Sequence, residues 1–416
     1  MNGIFYISIV ISFFIDYFFW RKITPYMISF VGVFVISLLY DLFGKALGFI
    51  DLEPEVYLYF SIFSFTGLMA SLLGGYLSSK ITLKHKYPIA TYRELLSYSD
   101  KGIRYFFVYV LVLGILCLYG VYNAYTISGS WTGEEFEALL SQGVFGHSYA
   151  LLMASTPFIY LMASQKNSKK TYVLLFFVLF LLFMKQIKYW VIVPLIWMFL
   201  LSIYINRSNM VELLKRAFFI STLIFIFFAS AYSLVIIINS GDTDIVLMIK
   251  DIFGHFLGYI FSGILVFSSL IKDGYFNNLV PHDPFIAFQG GVNLVSVLIG
   301  QGLYQGSEIL IPFYSLNPLT GKTGNVGTLW ASFLLYLGSY SFFIFFIIIL
   351  MLSLLLKLSK HYAGAFIVYT CLSSFMFLTW FSSYFSLLSP YETPVLAFII
   401  YVILSRFRLK VINPIS

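Results

Sequence analysis

The sequence predicts an all-α fold: a polytopic integral membrane protein with about eleven transmembrane helices and one large extracytoplasmic loop. Three observations lead there. The chain is 60% hydrophobic and only 10% charged, where a soluble domain carries about 25% charged residues. Its apolar residues fall into runs close to the length a helix needs to cross a bilayer while satisfying its own backbone hydrogen bonds. Its basic residues lie in short clusters between those runs, so the net charge of +7 reads as a topology signal rather than a nucleic-acid surface.

The runs lie at 4–20, 24–43, 56–78, 103–125, 146–164, 171–184, 189–205, 217–238, 328–356, 363–385 and 392–405. No basic segment precedes the first and no small-residue cleavage site follows it, so it reads as a span and not a removed signal peptide. Arg21 and Lys22 follow the first run, Lys80 to Arg104 the third, Lys166 to Lys170 the fifth, and Arg207, Lys215 and Arg216 the seventh. The second and fourth runs exit instead into Asp51, Glu53 and Glu55, and into Glu134, Glu135 and Glu137. The basic loops therefore belong inside and the amino terminus outside. A further apolar run at 254–271 keeps this pattern unbroken for Lys357, Lys360, Arg406 and Arg408 only if it is re-entrant or lies in the outer interface. The stretch 240–327 is then wholly extracytoplasmic, and residues 1–416 read as one polytopic membrane domain. No internal repeat is visible, so an inverted-repeat transporter has no sequence support. The inner loop holds IATYRELLSY, which reads either as a short amphipathic surface helix or as a packed connector. Cys117 and Cys371 both lie in apolar runs and imply neither a disulfide framework nor a metal site.

Most candidate chemistry sits in 240–327. Asp242 and Asp244 could ligate a divalent cation, but the Ser-Gly before them and the apolar run after them read better as a helix start. His255 and Tyr259 share a face if their segment is helical, as a structural pair or a catalytic one. His282 and Asp283, between Pro281 and Pro284, are presented on a turn where either could accept a proton from a sugar hydroxyl. Lys322 lies in TGKTGNVGT, which lacks Walker A spacing. Its glycines would still let backbone amides approach an anion, and the segment opens into a helix N-terminus. Outside the loop, Lys185 and Lys188 occupy a tight outer turn, either snorkelling to headgroups or clamping a phosphorylated lipid carrier. Asp16 and Asp41 read as solvated span ends.

The turn MKQIKYW with Lys188, the segment HFLGYIFSGILVF at 255–267, and GNVGTLWASFLLYLG at 324–338 resemble the oligosaccharide repeat unit polymerases, the Wzy-type O-antigen polymerases. Relatives often place an acidic residue before the Gly matched here by Gly338; this chain has Leu337 there, so no acidic role carries over. The resemblance implies a multi-pass protein of the bacterial inner membrane with its active site facing the periplasm. It implies a glycosyltransferase that moves a glycan chain en bloc from undecaprenyl diphosphate onto a lipid-linked repeat unit, in lipopolysaccharide or other surface polysaccharide assembly. No cofactor or metal is implied. The partners are undecaprenyl-diphosphate-linked oligosaccharides, membrane lipids and a chain-length-regulating co-polymerase. In this scheme Lys185, Lys188 and Lys322 bind diphosphate, and His255, His282 or Asp283 supplies the base. Tyr259, Asn325 and Thr328 contact substrate. Two other classes stay open: an O-antigen ligase-like lipid-carrier glycosyltransferase, and a flippase or transporter for the lipid-linked oligosaccharide.

Overall fold

A computed structural model describes residues 2–80, 98–131, 133–166, 168–185, 189–205, 215–216, 218–219, 221–226, 229–230 and 245–407. Residues 89–97 of the IATYRELLSY segment, Lys188, Asp242, Asp244 and most of the run at 217–238 lie outside them. The chain is helical almost throughout. In order, the helices are α1 (Asn2–Trp20), α2 (Pro25–Leu39, continued by a π-helical turn Tyr40–Gly44), α3 (Pro54–Lys80), α4 (Asp100–Ser128), α5 (Glu134–Ser141), α6 (Gly143–Lys166), α7 (Lys169–Met184), α8 (Tyr189–Ile205), α9 (Ile245–Lys272) and α10 (Gln289–Leu298). A two-stranded hairpin follows, β1 (Tyr314–Asn317) and β2 (Lys322–Gly324), then α11 (Leu329–Leu337), α12 (Tyr340–Ser359), α13 (Ala363–Phe377) and α14 (Ser389–Ser405). Among the described residues, seven helices are long and apolar enough to cross a membrane: 2–20, 25–44, 54–80, 100–128, 252–272, 340–359 and 363–380. The protein is an all-α membrane protein in this sense.

The chain forms two compact units. One comprises Met1–Thr82, Ile245–Lys357 and Phe375–Tyr391; the other comprises Leu83–Asp244, Leu358–Ser374 and Glu392–Ser416.

In the first unit, Thr24 caps α2 by accepting from the Met27 amide, with Pro25 opening the helix. The Thr24 hydroxyl also donates to Asp16, which accepts from Ser71 at 2.6 Å as well. Asp16 is 0% exposed, which corrects its reading as a solvated span end: a buried carboxylate is kept where hydroxyl donors satisfy it. Asp41, by contrast, is exposed, and accepts from Tyr6 at 2.7 Å and Tyr57 at 2.5 Å.

α9 is one continuous helix seated on the neighbouring ends of α2 and α3. Its Phe261 ring meets Tyr40 at 5.6 Å and Phe49 at 5.2 Å. Its Phe267 ring meets Tyr59 at 5.8 Å and Phe60 at 5.6 Å. Ser268 accepts from the Glu53 amide at 2.7 Å. These partners are confined to the close of α2, the linker after it and the first turns of α3. The hairpin lies alongside α9 and is tied to the same linker. Ile50 donates to the Leu316 carbonyl at 3.0 Å, and the Asn317 side chain donates to the Leu47 carbonyl at 2.9 Å. The strands are antiparallel, Tyr314 opposite Gly324, with an irregularity between Ser315 and Asn317.

The apolar run 328–356 is not one helix. It stops at Gly338, whose φ of 54° favours glycine. A Cβ there would meet the Leu279 carbonyl at 2.5 Å. α13 likewise gives way to two 3-10 turns, Leu378–Trp380 and Tyr384–Ser386, joined by irregular backbone before α14. That break is packed inside the unit. Thr379 donates to the Ser29 carbonyl at 2.9 Å, and Gly263 of α9 faces the Trp380 and Phe381 carbonyls. Irregular backbone inside a membrane protein is tolerated where protein buries it.

In the second unit, α4, α6, α7 and α8 pack together around buried residues of α6 such as Tyr149, Met153 and Phe158. Trp197 donates to Thr370 at 2.9 Å, and the Tyr204 and Tyr369 hydroxyls share a 2.8 Å hydrogen bond.

Gly263→Val should destabilise the first unit by about 1–3 kcal/mol, since a side chain there must displace backbone and not a mobile group. Unfolding of the purified protein in mixed detergent measures it.

Candidate functional site

The face of α9 that carries His255, Tyr259 and Ser262 follows from helical spacing, since residues three and four apart are neighbours. The structure brings Lys322 to it: the Lys322 ammonium contacts His255 Nε2 across a sequence separation of 67. A lysine ammonium can only donate, so His255 Nε2 is the acceptor in this contact. Lys322 is held there because it opens β2 opposite Asn317, whose side chain is anchored to the α2–α3 linker. Gly324, two residues on, packs near Ser262. At the other end of the hairpin, Tyr314 donates to Asp273 at 2.8 Å. Tyr259 stacks on Phe381 of the broken segment, with centroids 5.0 Å apart and planes at 21°. A cation, a neutral imidazole and an aromatic wall are thus gathered on one helix face. Lys322 and His255 are both half-buried, so an anion could reach them.

His282 and Asp283 form a separate cluster on the loop between α9 and α10. Asp283 accepts from the Tyr304 hydroxyl at 2.7 and 2.8 Å, from the Ser307 amide at 3.2 Å and from the Phe285 amide at 3.3 Å. The Tyr304 bond, more than any other contact, holds its carboxyl below the usual carboxylate range. His282 Nε2 lies 3.3 Å from the Ser307 hydroxyl. The Pro–His–Asp–Pro pattern marks the turn, but nothing in it marks Tyr304 or Ser307, which arrive through tertiary folding.

The remaining candidates divide. Thr328 is buried and caps α11, its hydroxyl accepting from the Ala331 amide at 3.1 Å. Its oxygen accepts one bond from the helix, and its proton is left to donate. Asn325 is half-buried on the segment entering that helix. Lys185 does not stand open in its turn. It is 2% exposed, with its ammonium 3.7 Å from the Trp190 ring centroid and 5.3 Å from that of Tyr149. Burial pushes its pKa down to about 7, while the ring faces favour its charged form. Lys188 lies outside the described residues. Among the described residues, no three of His, Cys, Asp or Glu gather as a metal site.

Two outcomes follow. Because the folded pKa of Lys185 lies below its ordinary value, the unfolded chain holds the extra proton between about 7 and the ordinary lysine range. Lys185 therefore costs most stability below about 7, and the cost fades as pH rises through that window. Lys185→Met should raise stability more in acid than in alkaline buffer, as detergent unfolding across pH will read. Separately, Tyr304→Phe should move the Asp283 titration up toward the ordinary carboxylate range, followed by carbon-13 NMR of labelled aspartate.

No curated protein and no solved structure matches the chain. Residues 48–411 match a family of unknown function, DUF6337. That match covers most of the sequence, from the linker that anchors the hairpin through α14, and the chain belongs to this family.

Proposed function

We propose that this protein is a membrane glycosyltransferase that polymerises lipid-linked oligosaccharide repeat units at the outer face of a bacterial inner membrane. The observation that carries the reading is the Lys322–His255 contact on α9. A polyprenyl-diphosphate donor needs a cation at its leaving group and a base at the acceptor hydroxyl, and this pair supplies both within one contact. In the resting site the Lys322 ammonium donates to His255. An arriving diphosphate is the stronger partner for that cation, because it carries full negative charge where the imidazole carries none, and an ammonium–phosphate pair adds charge–charge attraction to the hydrogen bond. Lys322 then turns to the phosphate, and His255 Nε2 takes the proton of the acceptor hydroxyl.

The reaction balances without a cofactor. The acceptor hydroxyl oxygen forms a bond to the anomeric carbon of the donor sugar, and its proton passes to His255. The bond between that carbon and the diphosphate oxygen breaks, and undecaprenyl diphosphate leaves with the electron pair, its charge held by Lys322. His255 suits the base better than Asp283, whose oxygens are taken by Tyr304 and two amides. Tyr259, stacked on Phe381, offers a flat wall for a sugar ring. The placement of α9 on the ends of α2 and α3, beside the acidic linker that the charge pattern puts outside, supports an outer-face site.

The test is the surface polysaccharide of a strain lacking this gene, separated on a gel. Lipid A-core bearing one repeat unit and no ladder is expected. An unchanged ladder overturns the reading, and a core with no repeat unit replaces it with a ligase or a flippase. In a complemented strain, Lys322→Ala and His255→Ala should each reduce polymer formation by roughly a hundred- to thousand-fold, the effect of removing one preorganised charge partner.

A further inference from the structure

The far end of α9 lines a second feature. Glu53 from the linker before α3 and Glu55 and Tyr59 from its first turns, with Ile271, Lys272, Phe276 and Asn277 from the close of α9 and the turn after it, surround a groove of about 330 Å³. That size falls in the range of small-molecule sites. Its walls are fixed from both sides. The Glu53 amide donates to Ser268 of α9. Tyr59 packs on Phe267 at 5.8 Å and on Phe276 at 6.0 Å. The turn carrying Asn277 is closed by its amide donating to the Gly274 carbonyl at 3.1 Å, with Gly274 at φ 80°.

The lining is chemically mixed. Two carboxylates accept hydrogen bonds, Lys272 donates them, and the Asn277 amide can do either. Among the described residues, no ion pair within 4.0 Å joins Lys272 to Glu53 or Glu55. Their hydrogen-bonding capacity is left for whatever enters the groove. A divalent cation would meet the Lys272 charge beside the carboxylates, and an apolar ligand would desolvate all three. Sugar hydroxyls both donate and accept, and so match carboxylate, ammonium and amide together. The half-buried Tyr59 ring, backed by the buried Phe276, gives the apolar surface that the C–H face of a pyranose needs. Two carboxylates against one ammonium leave the groove net negative, which favours a neutral or amino sugar over a uronic acid.

The geometry points to a saccharide-binding subsite in this groove, which takes a neutral or amino sugar of the glycan away from the diphosphate end. This inference rests on the polymerase reading for its choice of glycan, and it adds a second contact point on the same helix. Between His255 and Lys272 the continuous helix α9 rises roughly 25 Å, so one substrate chain could touch both ends. A subsite there would hold an oligosaccharide against α9 while its reducing end is at Lys322.

The experiment uses the full chain in lipid nanodiscs. The probe is lipid-free oligosaccharide released by mild acid from the same strain's surface polysaccharide, and saturation-transfer NMR reads its binding. Glu53→Gln and Glu55→Gln keep side-chain shape and should each weaken binding about tenfold. Absent binding, equal binding by the wild type and both glutamine variants, or displacement of the probe by millimolar calcium overturns the subsite. Failure of the polymerase reading is seen separately, as an intact polysaccharide ladder in the deletion strain.

Discussion

The seating of α9 on the ends of α2 and α3 is the constraint on which the rest of the first unit depends. Two rings set it: Phe261 between Tyr40 and Phe49, and Phe267 between Tyr59, Phe60 and Phe276. Each aromatic pair contributes about 0.5–1.5 kcal/mol beyond area burial, whereas the single Glu53–Ser268 hydrogen bond contributes about 1 kcal/mol. The rings therefore decide the register and the hydrogen bond only refines it. A slip of one helical turn would separate His255 from Lys322 and Lys272 from the acidic linker at once. The two features argued above are coupled through this one packing arrangement.

Much of the architecture was legible in the sequence because it rests on composition and run length. The apolar runs 4–20, 24–43, 56–78 and 103–125 correspond closely to α1 through α4. Hydropathy could not show that the run 328–356 breaks at Gly338, or that 363–385 loses its helix after Phe377. Apolar content is the same on both sides of each break. The Gly338 break depends on a backbone approach to Leu279–Pro281 that no local pattern encodes. Of the site, the His255–Tyr259 spacing was readable because it is local to one helix. The meeting of His255 with Lys322 was not, since it depends on the hairpin register and on the anchoring of Asn317 to the Leu47 carbonyl. Asp16 was misread for the same reason: its satisfying donors, Thr24 and Ser71, come from a loop and another helix.

The helix breaks also explain how polar chemistry is held within so apolar a chain. A continuous helix turns every backbone group inward and presents only side chains. Where α13 gives way to its 3-10 turn and the stretch beyond, carbonyls of Trp380 and Phe381 face Gly263, and the Phe381 ring turns toward Tyr259. A glycine at 263 is what lets α9 come this close, and the aromatic wall of the candidate site is the result.

Lysines that look alike in sequence end in opposite physical states. Lys185 sits in a ring-lined enclosure that removes its water and lowers its proton affinity. Lys322 keeps partial access to solvent and rests against a neutral base that a phosphate can replace. A buried ammonium between rings has little to gain by turning to a new anion, because reorganising it would break contacts made in a poorly solvated site. A half-buried ammonium bonded to imidazole exchanges one partner for a stronger one at little cost. For recognition of a diphosphate, the count of cations near the membrane surface therefore matters less than the solvent access of each, which favours half-buried Lys322 over buried Lys185.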